Sequence, residues 1–469
     1  MTSDACAGLS MTTLVAASAS TAPIDGSRVR RDAVVRHAAV LVLWSSLLLV
    51  AYWWAAGGGI AGLAGWTGAL DSVGRLAGLI ASVLLLAQVL LLARLPVLEH
   101  AYGQDRLART HRLVGFTSFT LMLAHIGLIT IGYADGRLRG AWTTFWGLTV
   151  DYPGMLLAVA GTACLVAVVV TSVRAARRRL RYESWHLLHL YAYLGVGLAL
   201  PHQLWTGQEF LASPARTVFW WGAWILTASA VLVWRVALPL WRSARYGLRV
   251  TGIVVEAPGV VSVQLIGHDR GPRPEAGQFF TFRFRSGRGW SRAHPYSLSA
   301  APIDGRLRFT AKVVGDGSAA LLDLRPRTRV LVEGPYGRLS GRARTRRRVA
   351  LIGAGVGVTP LRALAEGLHY ATGDAVLLYR FPDRPLFEAE FEGLARSRGL
   401  RVRLLPGHRR AAGSWLGDGV PPIDDVTALT TLVPDIADRD IYVCGPDDWA
   451  DDVRRAARAT GVPDDRIHV

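Results

Sequence analysis

The sequence predicts a multi-domain membrane protein: a six-helix transmembrane bundle, then a small antiparallel β-barrel, then an α/β nucleotide-binding domain. Three observations predict it. The apolar residues, 51% of a 469-residue chain with mean hydropathy +0.28, crowd into residues 36 to 240. Residues 243 to 469 instead alternate charged, Gly/Pro and short β-rich segments. Arginines gather at every second break between apolar runs, as the positive-inside rule requires of cytoplasmic loops.

The domains are expected at 1–30 (a disordered cytoplasmic tail), 31–242 (six spans), 243–343 (the barrel) and 344–469 (the nucleotide domain). The tail is small and polar, with no cation before Arg28, unlike the start of a secretory signal, and Met11 is a second candidate start. The spans fall at about 36–56, 73–94, 110–133, 153–173, 184–205 and 217–240, each near the ~20 residues that cross hydrocarbon. Arg28, Arg30, Arg31 and Arg36 precede the first span, and Arg94, Arg106, Arg109 and Arg112 separate the second from the third. Arg174, Arg177, Arg178, Arg179 and Arg181 separate the fourth from the fifth, and Arg242, Arg245 and Arg249 follow the sixth. Both termini are therefore expected on the cytoplasmic side of the plasma membrane.

Net charge of +18 is explained by these loops, and no basic stripe interleaved with aromatics points to nucleic acid. Cys6, Cys164 and Cys444 are scattered, which excludes a disulfide framework, a zinc site and a Cys-ligated cluster.

Histidine inside an apolar span is costly and marks function. His111 and His125 in the third span are separated by fourteen residues, a rise of ~21 Å and a rotation about 40° short of four turns, so both imidazoles face nearly one side at two depths. His189 and His202 offer a second pair in the fifth span. Given the span directions, His111 matches His189 in depth on the inside and His125 matches His202 toward the outside, which suits axial ligation of two haems. On a straight helix His189 and His202 stand ~140° apart, so a local rewinding at Pro201 is expected. His186 is the competing inner ligand. His37 and His100 lie at span ends beside charges and read as interfacial, as do most span-end tryptophans.

In the barrel region, His294-Pro295-Tyr296-Ser297-Leu298-Ser299 presents an aromatic ring and small hydroxyls that suit a flat heterocycle with ribityl and phosphate oxygens. Lys312, the one lysine, precedes Gly315-Asp316-Gly317-Ser318, which adds a cation and backbone donors for a pyrophosphate. Next, RVALIGAGVGVTP reads as a buried strand, a turn at Gly353, Gly355 and Gly357, and a helix begun by Thr359 and Pro360, where a dinucleotide pyrophosphate meets bare backbone. The following strand ends in Arg380 rather than an acid, with Arg409 and Arg410 beyond, so a 2′-phosphate and hence NADPH is favoured. Cys444-Gly445-Pro446 ends the last strand, where ligand crevices form in such sheets.

The ordered set of motifs resembles the ferric reductase and NADPH oxidase superfamily, in its bacterial branch with a ferric-reductase-like transmembrane domain fused to a ferredoxin-reductase-type FAD/NAD(P) module, over about residues 36 to 469. The resemblance implies two b-type haems on His111, His125, His189 and His202, FAD on the HPYSLS string, and NADPH on GAGVGVTP and CGP with Cys444 beside the nicotinamide. It implies electron transfer from cytoplasmic NADPH through FAD and haem to an external acceptor, ferric complexes first and oxygen second. The superfamily's oxidases carry a further His one turn beyond the outer ligand of the third span; here that position is Ile129, which argues against a dedicated superoxide producer. In many relatives an aromatic residue beyond the equivalent of Ile467-His468-Val469 covers the flavin. An alternative keeps the spans as a haem-free anchor for a flavoprotein reductase that serves a ferredoxin-like partner.

Overall fold

In the computed structural model, residues 26–173, 182–268, 273–287 and 290–469 are described. The expected tail to residue 25 and the arginines from Arg174 to Arg181 lie outside them. Two compact units divide the chain, one of Val29–Arg242 and one that contains Ser243–Val469.

The first unit is helical: α1 (Gly26–Trp54), α2 (Trp66–Leu91), α3 (Pro96–Tyr102), α4 (Gln104–Tyr133), α5 (Ala141–Asp151), α6 (Met155–Ser172), α7 (Tyr182–Trp205), α8 (Gln208–Leu211) and α9 (Pro214–Ala230), continued through Val231–Ala237 into α10 (Leu238–Tyr246). α1 starts at Gly26, inside the segment expected to be disordered, and carries Arg28 and Arg30 in its first turns. Among the described residues five helices are long and apolar enough to cross a membrane: Arg30–Gly59, Trp66–Leu91, Gln104–Tyr133, Met155–Ser172 and Pro214–Tyr246. The fifth expected span forms a helix of 24 residues, α7, yet it falls outside that set. Its histidines, Pro201 and Gln203 dilute the apolar run, because a helix that carries polar groups loses hydropathy in proportion.

α2 packs along α4, and α6 along α7. The second pair meets at two glycines. A Cβ on Gly161 would stand 2.7 Å from the Gly195 carbonyl oxygen, and one on Gly195 would stand 2.9 Å from that of Gly161. Small residues let two backbones approach where lipid offers no hydrophobic drive to join them. Val50, Leu79, Val83, Leu165, Val196 and Trp220 close one core across α1, α2, α6, α7 and α9. The α2–α4 connection is anchored by polar bonds: Arg94 pairs with Glu99 at 2.9 Å, and Arg36 donates to the Ala101 carbonyl at 3.0 Å.

The second unit opens with two three-stranded antiparallel sheets, ordered β1-β2-β5 (Arg249–Ala257, Val260–Ile266, Arg306–Lys312) and β4-β3-β6 (His294–Ser297, Phe279–Phe284, Val330–Tyr336). Isolated bridges Arg249↔Arg329 and Leu298↔Phe309 join their margins around a core of Val261, Val263, Phe280, Phe282 and Phe309. Alternation produces that core: β3 reads FFTFRF, with every second residue buried. A short α11 (Asp316–Ala319) follows β5.

A parallel five-stranded sheet, ordered β11-β10-β7-β8-β9, completes the chain (Ile467–His468, Asp440–Cys444, Val349–Ala354, Ala375–Phe381, Arg401–Pro406). All six residues of β7 are buried, as a strand covered on both faces requires. Helices α12 (Val358–Gly367), α13 (Glu388–Arg398), α14 (Asp425–Leu432) and α15 (Asp447–Ala459) supply the covering. A charge network ties the two lobes. Arg308 of β5 holds Glu390 of α13 with bonds of 2.8 and 2.9 Å, Arg362 of α12 reaches the same carboxylate at 2.5 Å, and both guanidiniums donate to the Ser299 carbonyl. Although burial works against it, the Glu390 carboxyl is held below the usual range by Arg308 and Arg362.

Candidate functional site

α4 and α7 set His111 beside His189, with ring centroids 6.1 Å apart and planes at 63°. Two imidazoles bound through nitrogen to one metal at about 2 Å place their centroids about 6 Å apart, so the pair stands at ligating separation. Nδ1 of His111 lies 3.0 Å from the Gln88 carbonyl oxygen, and Nδ1 of His125 lies 2.8 Å from that of Gly74. A carbonyl only accepts, so each Nδ1 carries the proton and each Nε2 keeps its lone pair for a metal. Both acceptors belong to α2, and a Cβ on Gly78 would stand 2.7 Å from Nδ1 of His125, so α2 is shaped to this imidazole.

On α7, Nδ1 of His189 lies 3.4 Å from the Ser172 hydroxyl, and the Trp185 ring packs 5.0 Å from the imidazole. The Nδ1 of His202 is buried. His202 stands on α7 and His125 on α4, the two helices that also carry the inner pair. Pro201 lies inside α7, which stays helical from Tyr182 to Trp205. The His186 side chain lies outside the described residues. His37 is exposed and bonds the Ala33 carbonyl of its own helix at 2.8 Å.

In the sheet lobe, Tyr296 stacks parallel on Phe309 at 4.6 Å, which fixes the plane of its ring. Burial pushes its hydroxyl up to about 12, so it stays a neutral donor. A Cβ on Gly317 would stand 2.5 Å from Cε1 of His294, so the HPYS strand and the GDGS turn lie together. Pro295 and Lys312 are exposed, and Ser297 is half-buried. Two expected cofactor hydroxyls are committed to the protein itself. Ser299 is fully buried in a chain with Thr310 and Ser262, at 2.8 and 2.6 Å, while the Ser318 Oγ accepts from the Val314 and Gly315 N–H groups.

In the parallel sheet, β7 pairs Gly353 with Cys444 of β10, and a Cβ on Gly357 would stand 2.4 Å from the Cys444 carbonyl oxygen and 2.8 Å from the Gly445 nitrogen. The two glycine turns therefore touch through backbone at the C-terminal edge of the sheet, where α/β crevices open. Gly355 has φ +54° and open space above it; Thr359 and Pro360 are buried under it in the first turn of α12.

Burial pushes the Cys444 thiol up to about 11. It is a neutral group at physiological pH, suited to packing against a ligand and not to nucleophilic attack. Alkylation of Cys444 by iodoacetamide at pH 8 is expected to run about a hundredfold slower than that of an unperturbed thiol and to rise steeply only toward pH 11, as mass spectrometry of the modified peptide would record.

The three expected phosphate arginines separate. Arg380 has a buried Nε without a partner, and burial, followed by the neighbouring charge of Arg409, makes its cation harder to hold. Arg409 pairs with Asp452 and donates to the Ser414 carbonyl at 3.1 Å. Arg410 is spent on the carbonyls of Val420, Pro421 and Ile423, and so closes its own loop. Sequence reasoning missed Trp449, whose ring lies against Gly445 and beneath Arg380 at 5.9 Å. Its place three residues after CGP was the available signal.

Part of the helical unit resembles a known family. Residues 77–200 match the ferric reductase like transmembrane component. This ferric-reductase-like segment runs from α2 to α7 and includes His111, His125 and His189, with His202 two residues beyond it. The chain is 32% identical over 204 residues to the ferredoxin reductase component of 3-ketosteroid-9-alpha-monooxygenase from Mycolicibacterium smegmatis, which covers 42% of this chain and 55% of that protein. It is 33% identical over 135 residues to the haem-binding subunit of protein-methionine-sulfoxide reductase from Klebsiella pneumoniae, covering 28% of this chain and 60% of that one. To mouse NADPH oxidase 1 it is 24% identical over 270 residues, covering 50% and 43%. The chain spans just over half the length of the first curated relatives that it matches.

Proposed function

We propose that this protein is an NADPH-dependent oxidoreductase of the plasma membrane that passes electrons outward through FAD and two b-type haems. The observation that carries the reading is the His111–His189 pair at ligating separation inside the ferric-reductase-like segment. α7 counts as the fifth of six spans in this reading, and both termini are cytoplasmic, as the arginine distribution favours. The domain boundaries proposed are 31–242 for the haem domain, 243–343 for the FAD domain and 344–469 for the NADP domain.

Bound haem and flavin supply one-electron and hydride chemistry. The residues of this chain orient and tune. His111 with His189, and His125 with His202, offer Nε2 lone pairs at two depths, and the Gln88 and Gly74 carbonyls hold the tautomers on α4. Tyr296 presents a fixed, neutral phenol to the flavin. The touching turns at Gly357 and Cys444 leave bare backbone for the dinucleotide pyrophosphate, and the neutral thiol of Cys444 fills the nicotinamide side without reacting.

Arg380 is the 2′-phosphate contact proposed here, with Arg409 held beside it by Asp452 and Arg410 serving the loop instead. Arg380→Ala is expected to raise KM for NADPH about tenfold or more and to leave KM for NADH within twofold. Equal loss with both nucleotides would assign Arg380 to packing on Trp449.

Ferric complexes are the acceptor proposed, and Ile129 in place of a further imidazole disfavours oxygen. The ferredoxin reductase relative supports a second reading, in which the soluble region serves a ferredoxin-like partner. Reduced-minus-oxidised spectra of the purified chain, followed by NADPH-driven turnover in vesicles given ferric chelate or oxygen separately, test these readings. Absence of a bis-imidazole b-type signal would sink the transmembrane route and leave the ferredoxin reading.

A further inference from the structure

Four arginines form one row across the margin where the sheets of the second unit meet. Arg285 donates its backbone N–H to the Arg329 carbonyl at 2.9 Å, Arg329 bridges to Arg249, Arg249 pairs with Ile266, and Ile266 pairs with Arg306. Residues directly opposite one another in antiparallel strands share a face, so the four side chains share one face along the row, with Ile266 between Arg249 and Arg306. All four are exposed, as are Arg325 and Arg327 in the adjoining turn, and Ile266 is 40% exposed. Like charges set directly opposite repel, and this arrangement needs an anion. The chain does not supply it among the described residues. Two positions further along the same strands, Arg283 pairs with Glu333 and Arg308 with Glu390, whereas no ion pair forms at the outer row. Selection for a stable sheet would have placed carboxylates here too.

The position of the row names the anion. The final candidate span ends at Tyr246, three residues before Arg249, a chain reach of about 10 Å. The helix end is built into this same margin: the Ser243 hydroxyl holds both the N–H and the carbonyl of Val332, at 2.9 and 2.8 Å, and the Tyr246 carbonyl accepts from His268 at 2.7 Å. The margin also carries Trp290, 48% exposed, with the Arg285 guanidinium 5.7 Å from its ring centroid. An exposed indole beside cations is the composition of a lipid interface. We propose that the row Arg285–Arg329–Arg249–Arg306 binds anionic phospholipid headgroups at the surface where the last span leaves the membrane, and so seats the flavin-binding lobe on the bilayer. The proposal rests on the reading of Pro214–Tyr246 as membrane-spanning.

Hydrogen exchange of the full chain in vesicles tests it, comparing phosphatidylcholine alone with phosphatidylcholine containing about 30 mol % phosphatidylglycerol. Amides of residues 284–287 and 325–329 are expected to exchange about fivefold more slowly in the anionic vesicles, and roughly 0.5 M salt should abolish the difference. The variant Arg249→Ser/Arg329→Ser should lose the protection while retaining its flavin spectrum, which reports an intact fold. Equal exchange in the two lipids, or protection that survives in the variant, would overturn the proposal. So would protection produced in detergent by an acidic ferredoxin and not by the anionic vesicles, which would make the row a protein-docking face. Failure of the chain to float with either vesicle is a separate result and would remove the membrane reading itself.

Discussion

Replacing His125 with alanine is expected to abolish outward electron transfer, by a hundredfold or more, while NADPH still reduces the flavin at the wild-type rate. Among the described residues no group of three or more His, Cys, Asp or Glu side chains could hold a metal in its stead. The carbonyl of Gly74 and the space left by Gly78 hold the His125 imidazole in place. Stopped-flow flavin absorbance, ferric chelate reduction and the reduced-minus-oxidised spectrum of one preparation check the three parts together. The spectrum should lose about half its bis-imidazole intensity, with the signal owed to His111 and His189 unchanged. Loss of flavin reduction in a variant that keeps its fold would show that the two units are not separate modules.

The second large effect is expected at Gly357. A valine there would drive its Cβ to 2.4 Å from the Cys444 carbonyl oxygen and 2.7 Å from the carbonyl carbon. Backbone meets it on that side, so no rotamer change relieves the clash, and one glycine turn must leave the other. KM for NADPH should rise at least about tenfold, with a fall in Tm of several degrees, since strain of this kind typically costs about 1–3 kcal/mol. Gly393→Ala is the control. That position lies within α13 with nothing inside 4 Å of the new methyl, and alanine in a helix interior should stabilise by roughly 0.5–1 kcal/mol. Nucleotide titration and thermal melts of both variants read the contrast directly, and a Gly357→Val protein with unchanged KM would remove the turn from the nucleotide site.

Patterns that depend on near neighbours in the chain were legible. Hydropathy located every long helix of the first unit, because the length needed to cross hydrocarbon is a property of composition. The signal is weakest in α7, which falls outside the five helices apolar enough to cross a membrane, since its histidines lower its apolar average. The boundary at Gly26 was missed for a related reason: Arg28, Arg30 and Arg31 read as a charged flank, but arginine is a good helix former and α1 runs back through it.

Side-chain commitments were not legible in the same way. Ser299 and Ser318 look like free hydroxyls in a motif, and Arg410 looks like a partner of Arg409. Ser299 is consumed by Thr310 across the sheet, Arg410 by carbonyls about ten residues on, and Ser318 by the N–H groups of Val314 and Gly315 in its own turn. Conversely, the arginine row is invisible along the chain, because residues 249, 285, 306 and 329 meet only when four strands take their register.

By itself the sequence determined the membrane-then-soluble order, the two-histidine spacing on α4 and the glycine turns, since each is set by rise, rotation and volume within one segment. Only the tertiary structure decided that His111 faces His189, that the Gly357 and Cys444 turns touch, and which polar groups remain free for a ligand. A hydrogen bond or ion pair is won by whichever partner arrives at about 3 Å, and that is fixed by packing between elements far apart in the chain.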